Sequence, residues 1–113
     1  MDNLYLRFLR IARAIKIHKN ETNSIDATAM LLLNEVAVRH FEGKNITVTE
    51  AMSLSSIASP ATIHRKLDEL REAGLIEQIF EGKNRRTKFL VPTKTSNTYF
   101  EKMSIAIANI ANT

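Results

Sequence analysis

The sequence predicts a mainly α-helical fold with one small β-hairpin, and three observations carry that expectation. A helix with complete start and stop signals runs through SPATIHRKLDELREAG, a strand-turn-strand pattern follows it directly, and long helices with apolar stripes stand at both ends of the chain. The 113 residues, 44% hydrophobic and 25% charged, suffice for one domain around one core and are too few for two. The longest wholly apolar run, residues 29–33, cannot cross a bilayer, and no uninterrupted apolar leader opens the chain, so no membrane partner is expected. The absence of cysteine rules out disulfides and thiolate metal sites, which fits a cytoplasmic location.

The elements follow in order. Residues 2–19 are expected as the first helix, with Leu4, Phe8, Ile11 and Ile15 on one stripe and Leu6, Leu9 and Ile17 on other sides. Either Ser24 or Asp26 can cap the second helix, whose pattern AMLLLNEVAVRHF stops before Gly43. After a polar connection over residues 42–45, Thr47 or Thr49 can cap a short helix that carries Ala51, Met52 and Leu54 and ends near Ser56. The fourth helix has Ser59 as N-cap, Pro60 at the first helical position, where a missing N–H costs nothing, and Gly74 as the left-handed C-cap. Residues 75–80 and 87–91 are strand-formers around the polar tip EGKNRR, Pro92 ends the second strand, and Thr93 can cap a last helix over residues 95–111. That order is a winged helix-turn-helix over residues 46–93, flanked by terminal helices at 1–20 and 94–113.

The terminal helices bear more apolar surface than a small core can cover. Leu4, Phe8, Ile11 and Ile15 on the first, with Phe100, Met103, Ile107 and Ile110 on the last, are expected to pair with a second copy of the chain; packing both helices inside one protomer is the alternative.

The net charge of +4 is moderate, so its distribution matters more than its size. Cations exceed acids in the first helix and again from Ser59 onward, a pattern that points to nucleic acid. Within the fourth helix Ile63, Leu67 and Leu70 fall on one face, while Ala61, Arg65, Asp68 and Glu72 fall opposite, with Thr62 and Lys66 on one flank and His64 on the other. Small residues at a helix start permit close approach, the first amides attract phosphate, and Arg65 can donate two hydrogen bonds to a guanine. Ser59, Ala61, Thr62, His64, Arg65 and Lys66 are therefore expected at double-stranded DNA. The wing adds Lys83 and Lys88 as phosphate contacts, and strand alternation is expected to aim only one of Arg85 and Arg86 into the minor groove.

At this point the chain resembles the MarR-type winged-helix transcriptional regulators. SPATIHRKLDELREAGLI, residues 59–76, is similar to the family's recognition-helix pattern S-P-x-T-v-x-R-x-L-x-x-L-x-x-x-G-L-I, and NRRTKFLVPT, residues 84–93, is similar to its wing pattern. The resemblance implies a homodimeric DNA-binding regulator and favours Arg86 as the minor-groove residue. Two departures stand out. Asn84 replaces the wing aspartate that holds the neighbouring arginine, so an amide is expected to orient Arg86, and Pro92-Thr93 replaces Leu-Thr at the wing exit. The chain is shorter than is typical of the family, so any effector pocket is expected to be small or absent, and the residues name no effector.

Catalysis and metal binding find little support. His18, His40 and His64 are scattered without carboxylates at ligand spacing, the serines of MSLSSIAS have no glycine elbow or companion base, and no glycine loop cradles phosphate, so no catalytic residue, metal or cofactor is expected. A second class of function stays open, a winged-helix module that binds an acidic protein surface. Thr62 and Arg65 distinguish the two, because such a module needs no base-reading pair at the start of its helix.

Overall fold

Local capping chemistry sets most element boundaries. In the computed structural model, which describes residues 3–15, 18–19 and 23–112, the order is α1 (Leu4–Ala14), β1 (His18–Lys19), β2 (Asn23–Ser24), α2 (Ala27–Phe41), β3 (Ile46–Thr47), α3 (Val48–Met52), α4 (Pro60–Glu72), β4 (Ile76–Glu81), β5 (Asn84–Pro92) and α5 (Lys94–Ala111). Asp26 starts α2, its carboxylate accepting the Ala29 N–H at 2.8 Å. Thr47 starts α3 through a reciprocal box: its hydroxyl accepts the Glu50 N–H at 3.0 Å, and Glu50 accepts the Thr47 N–H at 2.9 Å. The carboxyl of Glu50 is held below its ordinary range, chiefly by that hydrogen bond from the Thr47 backbone. Ser59 and Pro60 open α4 as expected, and Gly74 closes it with a φ of 75°.

The first helix is shorter than its apolar spacing predicts. Residues 2–19 were expected as one helix, yet α1 ends at Ala14 with Ile15 extended, and His18–Lys19 pairs antiparallel with Asn23–Ser24. Lys16 and Ile17 lie outside the described residues. A second difference is β3, since no strand is expected between the polar connection at residues 42–45 and the short helix that Thr47 or Thr49 can cap. Ile46 pairs with Leu90 and Thr47 with Phe89, which makes a three-stranded antiparallel sheet in the order β3-β5-β4.

The core lies between this sheet and helices α2, α3 and α4. Leu32, Leu33 and Val36 of α2 meet Ile63, Leu67 and Leu70 of α4, with Ile46, Leu75 and Leu90 closing the sheet side. Beginning next to the sheet, α5 runs outward. Thr93 caps it, accepting the Ser96 N–H at 3.3 Å, while the Thr93 hydroxyl donates to the Gly74 carbonyl at 2.6 Å. Ser96 is wholly buried and donates to the Leu75 carbonyl at 2.6 Å, an oxygen that also accepts the Thr93 N–H at 3.2 Å. These bonds fasten the root of α5 to the turn that ends α4. Tyr99 and Phe100 pack against the core and meet each other edge to face, and burial pushes the Tyr99 hydroxyl pKa up. Farther out α5 carries α1, which has no buried residue of its own.

Candidate nucleic-acid interface

The start of α4 is held by its cap. The Ser59 hydroxyl accepts the Thr62 N–H at 3.3 Å and donates to the Thr62 hydroxyl at 3.0 Å, which fixes where the helix begins and engages Thr62 in the cap. With Ile63, Leu67 and Leu70 committed to the core, Ala61, His64 and Arg65 are exposed. The acids come later on the same helix. Asp68 stands between two side chains of the same helix, 3.5 Å from Nδ1 of His64 and 3.5 Å from Nη1 of Arg71.

Lys66 does not share this face, contrary to the expectation that it reaches DNA. Its side chain is 16% exposed, its ammonium ion-pairs with Asp26 at the start of α2, and Glu69 lies 3.2 Å away on its own helix. Two carboxylates thus occupy the charge that a phosphate would need.

The wing departs from a regular hairpin in an informative way. The expected tip EGKNRR contracts to Gly82 and Lys83, with Gly82 at a φ of 57°, so both arginines belong to β5. Between the pairs Ile79↔Phe89 and Glu81↔Asn84 the register shifts: β4 contributes Phe80 alone, and β5 contributes Arg85, Arg86, Thr87 and Lys88. Asn84 supplies the cause. Its side-chain oxygen accepts the N–H groups of Arg86 at 2.9 Å and Thr87 at 3.2 Å, so neither amide continues a regular ladder and the strand bulges. The sequence leads to the expectation that this amide orients the Arg86 side chain, whereas among the described residues its oxygen bonds the backbone N–H groups of Arg86 and Thr87 and shapes the strand beneath the arginine.

The two arginines take different sides of the wing, and Arg86 shares its side with Lys88 two residues on, as strand alternation leads one to expect. The Arg85 guanidinium lies over the Phe80 ring, 5.6 Å from its centre, a cation–π contact on one side of the wing. Arg86 and Lys88 line an open groove with His64 and Arg71 of α4 and Thr49 of α3. The groove thus unites three expected residues, His64, Arg86 and Lys88. Ala61 and Arg65 stand on the exposed face of α4, and Lys83 is exposed at the hairpin tip. Thr49 and Arg71 were missed. Thr49 was weighed only as a cap, and Arg71 sits two turns beyond His64 on the same side of α4, a spacing that could have drawn attention to it.

The terminal helices divide their apolar residues between two tasks. Phe100 packs on the core and Ile110 is buried, so both are covered within the protomer, while Phe8, Ile11, Ile15 and Met103 are half-buried. Leu4 is 56% and Ile107 49% exposed, and with Tyr5, Phe8 and Ile110 they line an apolar groove between α1 and α5. Among the described residues no helix is long and apolar enough to cross a membrane, and no group of three or more histidines and acids converges as a metal site would.

No family model and no curated protein matches the chain. Solved structures do. A transcriptional regulator of Thermotoga maritima superposes with a TM-score of 0.61 at 21% identity, over 96% of this chain and 75% of that one. MarR superposes with a TM-score of 0.56 at 19% identity, over 96% and 76% of the two chains. A MarR-like transcriptional regulator of T. maritima gives a TM-score of 0.65 at 17% identity, over 99% and 79%. The chain therefore has the winged-helix fold of MarR-like structures.

Proposed function

We propose that the chain is a homodimeric, sequence-specific double-stranded DNA-binding transcriptional regulator. The start of α4 enters the major groove, and the basic wing follows the backbone into the adjacent minor groove. The observation that carries this reading is the shared groove of His64, Arg86, Lys88 and Thr49, beside a helix start whose outward residues are Ala61 and Arg65. Ala61 is small enough to let the backbone approach the duplex, and Arg65 supplies a planar fork for guanine O6 and N7. In the wing, Lys83 and Lys88 neutralise phosphates and Arg86 inserts where the minor groove is narrow.

Dimerisation through α1 and α5 is supported by the exposed apolar side chains of the two helices, Leu4, Tyr5, Leu6 and Leu9 on α1 and Ile105 and Ile107 on α5, which a second copy of the chain would cover. A two-fold dimer brings two copies of α4 to half-sites about 34 Å apart, one turn of the duplex. The three superposed regulators are in keeping with this reading. Selection from random duplexes tests it: a two-fold symmetric site is expected to be enriched, and enrichment of no sequence overturns the proposal.

A further inference from the structure

Lys66 follows Arg65 in the chain but points a different way. Its ammonium meets Oδ2 of Asp26, while Oδ1 of the same carboxylate caps α2 through the Ala29 N–H at 2.8 Å. One acid therefore starts α2 and grips α4. Glu69, 3.2 Å from the ammonium, restrains the lysine from within its own helix. We propose that Asp26 and Lys66 form a positioning pair that fixes the rotation of α4 about its axis, and through it the aim of Arg65 and His64, without either partner touching DNA. This inference rests on the DNA-binding reading given above.

The physical need for such a pair comes from the way α4 is packed. Ile63, Leu67 and Leu70 hold it by apolar contact, which is non-directional and tolerates small rolling movements. Side-chain ends lie about 5–6 Å from a helix axis, so a roll of about 10° carries a base-reading group roughly 1 Å sideways. A recognition geometry tolerates only about 0.5 Å. An ion pair set off the apolar stripe resists that roll because it is directional. Mutual hydrogen bonding is the leading cause of both titration shifts, with Asp26 held below its ordinary value and Lys66 above, so the pair is charged at neutral pH.

The test uses Lys66→Met, which keeps the stem, Asp26→Asn, which keeps a good cap for α2, the double variant, and Lys66→Arg as the conservative replacement. Hydrogen exchange of the intact free protein is followed by mass spectrometry. Both single neutral variants are expected to speed exchange over residues 60–72 by about 2- to 5-fold, the scale of a partly exposed ion pair, with β4 and β5 unchanged. On DNA, both are expected to lose discrimination between the selected site and random duplex by the same factor at an unchanged salt slope. The double variant is expected to be no worse than either single one, and Lys66→Arg is expected to keep discrimination.

Equal loss on both duplexes with a salt slope shallower by about one unit makes Lys66 a phosphate contact and overturns the proposal. Faster exchange in every segment makes the pair a general stabiliser and also overturns it, as does unchanged exchange over residues 60–72. If the wild type selects no sequence, the DNA-binding reading falls by itself. The exchange pattern still decides whether the pair holds α4.

Discussion

Ser96 offers a direct measure of how firmly α5 is rooted in the domain. It is 0% exposed, and its hydroxyl donates to the Leu75 carbonyl at 2.6 Å. Replacing it with alanine removes that bond but leaves no orphan acceptor, because the Leu75 oxygen keeps the Thr93 N–H at 3.2 Å. The loss is one net hydrogen bond, about 1 kcal/mol, reduced by a few tenths because alanine is the better helix former. An unfolding entropy of about 2.1 cal/mol/K per residue gives roughly 240 cal/mol/K for the 113-residue chain, so Ser96→Ala is expected to lower Tm by about 2–4 °C. Ser96→Val loses the same bond and forces a branched side chain into a filled site, at about 1–3 kcal/mol more and a drop of about 8–16 °C. Circular dichroism melts at fixed protein concentration test both, since oligomerisation makes Tm concentration-dependent. A Ser96→Ala protein as stable as the wild type refutes the reasoning about the hydroxyl, and a valine tolerated as well as alanine refutes the reasoning about packing.

Other outcomes follow from the interface and the caps. Arg65→Ala is expected to cost about 1–3 kcal/mol on the selected site and to relax preference at one base pair per half-site; uniform loss across single-base variants of the site would make Arg65 a backbone contact. Ile107→Glu puts a charge into the apolar groove of α1 and α5, where the residue is 49% exposed, and is expected to give a monomer in sedimentation at micromolar concentration; an unaltered dimer would remove this face from the interface. The folded pKa of Glu50 is depressed, so its contribution to stability is complete above the ordinary value of 4.5 and is lost as pH falls below that through the folded value. Glu50→Gln is therefore expected to flatten the decline of urea midpoints between about pH 5 and about pH 3, and an unchanged decline would assign it to other carboxylates.

What could be read in advance was chiefly local. Ser59, Pro60 and Gly74 mark α4 because capping and left-handed backbone depend on residues within one turn, and the alternation of its core and solvent faces follows from periodicity alone. Features that depend on distant partners were not legible. The two-residue strand β3 is a strand only because Leu90 and Phe89 lie beside it. Lys66 looks exposed on a helical projection, and nothing near it in sequence announces Asp26. In the same way, the apolar spacing of α1 continues to Ile17 although the helix stops at Ala14. For the candidate interface, the residue types were apparent from the sequence. What was not apparent was the stacking of Arg85 on the Phe80 ring of the facing strand and the bulge that Asn84 creates.

That bulge also bears on solubility. β3 pairs only with Leu90 and Phe89, so the outer part of β5 has no strand on that side among the described residues. A straight edge of this kind is a template on which other chains can add strands and aggregate. Here the edge is bent by four residues set against one and is studded with Arg85, Arg86 and Lys88. The two features oppose edge-to-edge stacking by shape and by repulsion. A wing stripped of all its cations at once would lose its guard against self-association together with its grip on phosphate, so contributions to binding are cleanly separated only by replacing these residues one at a time.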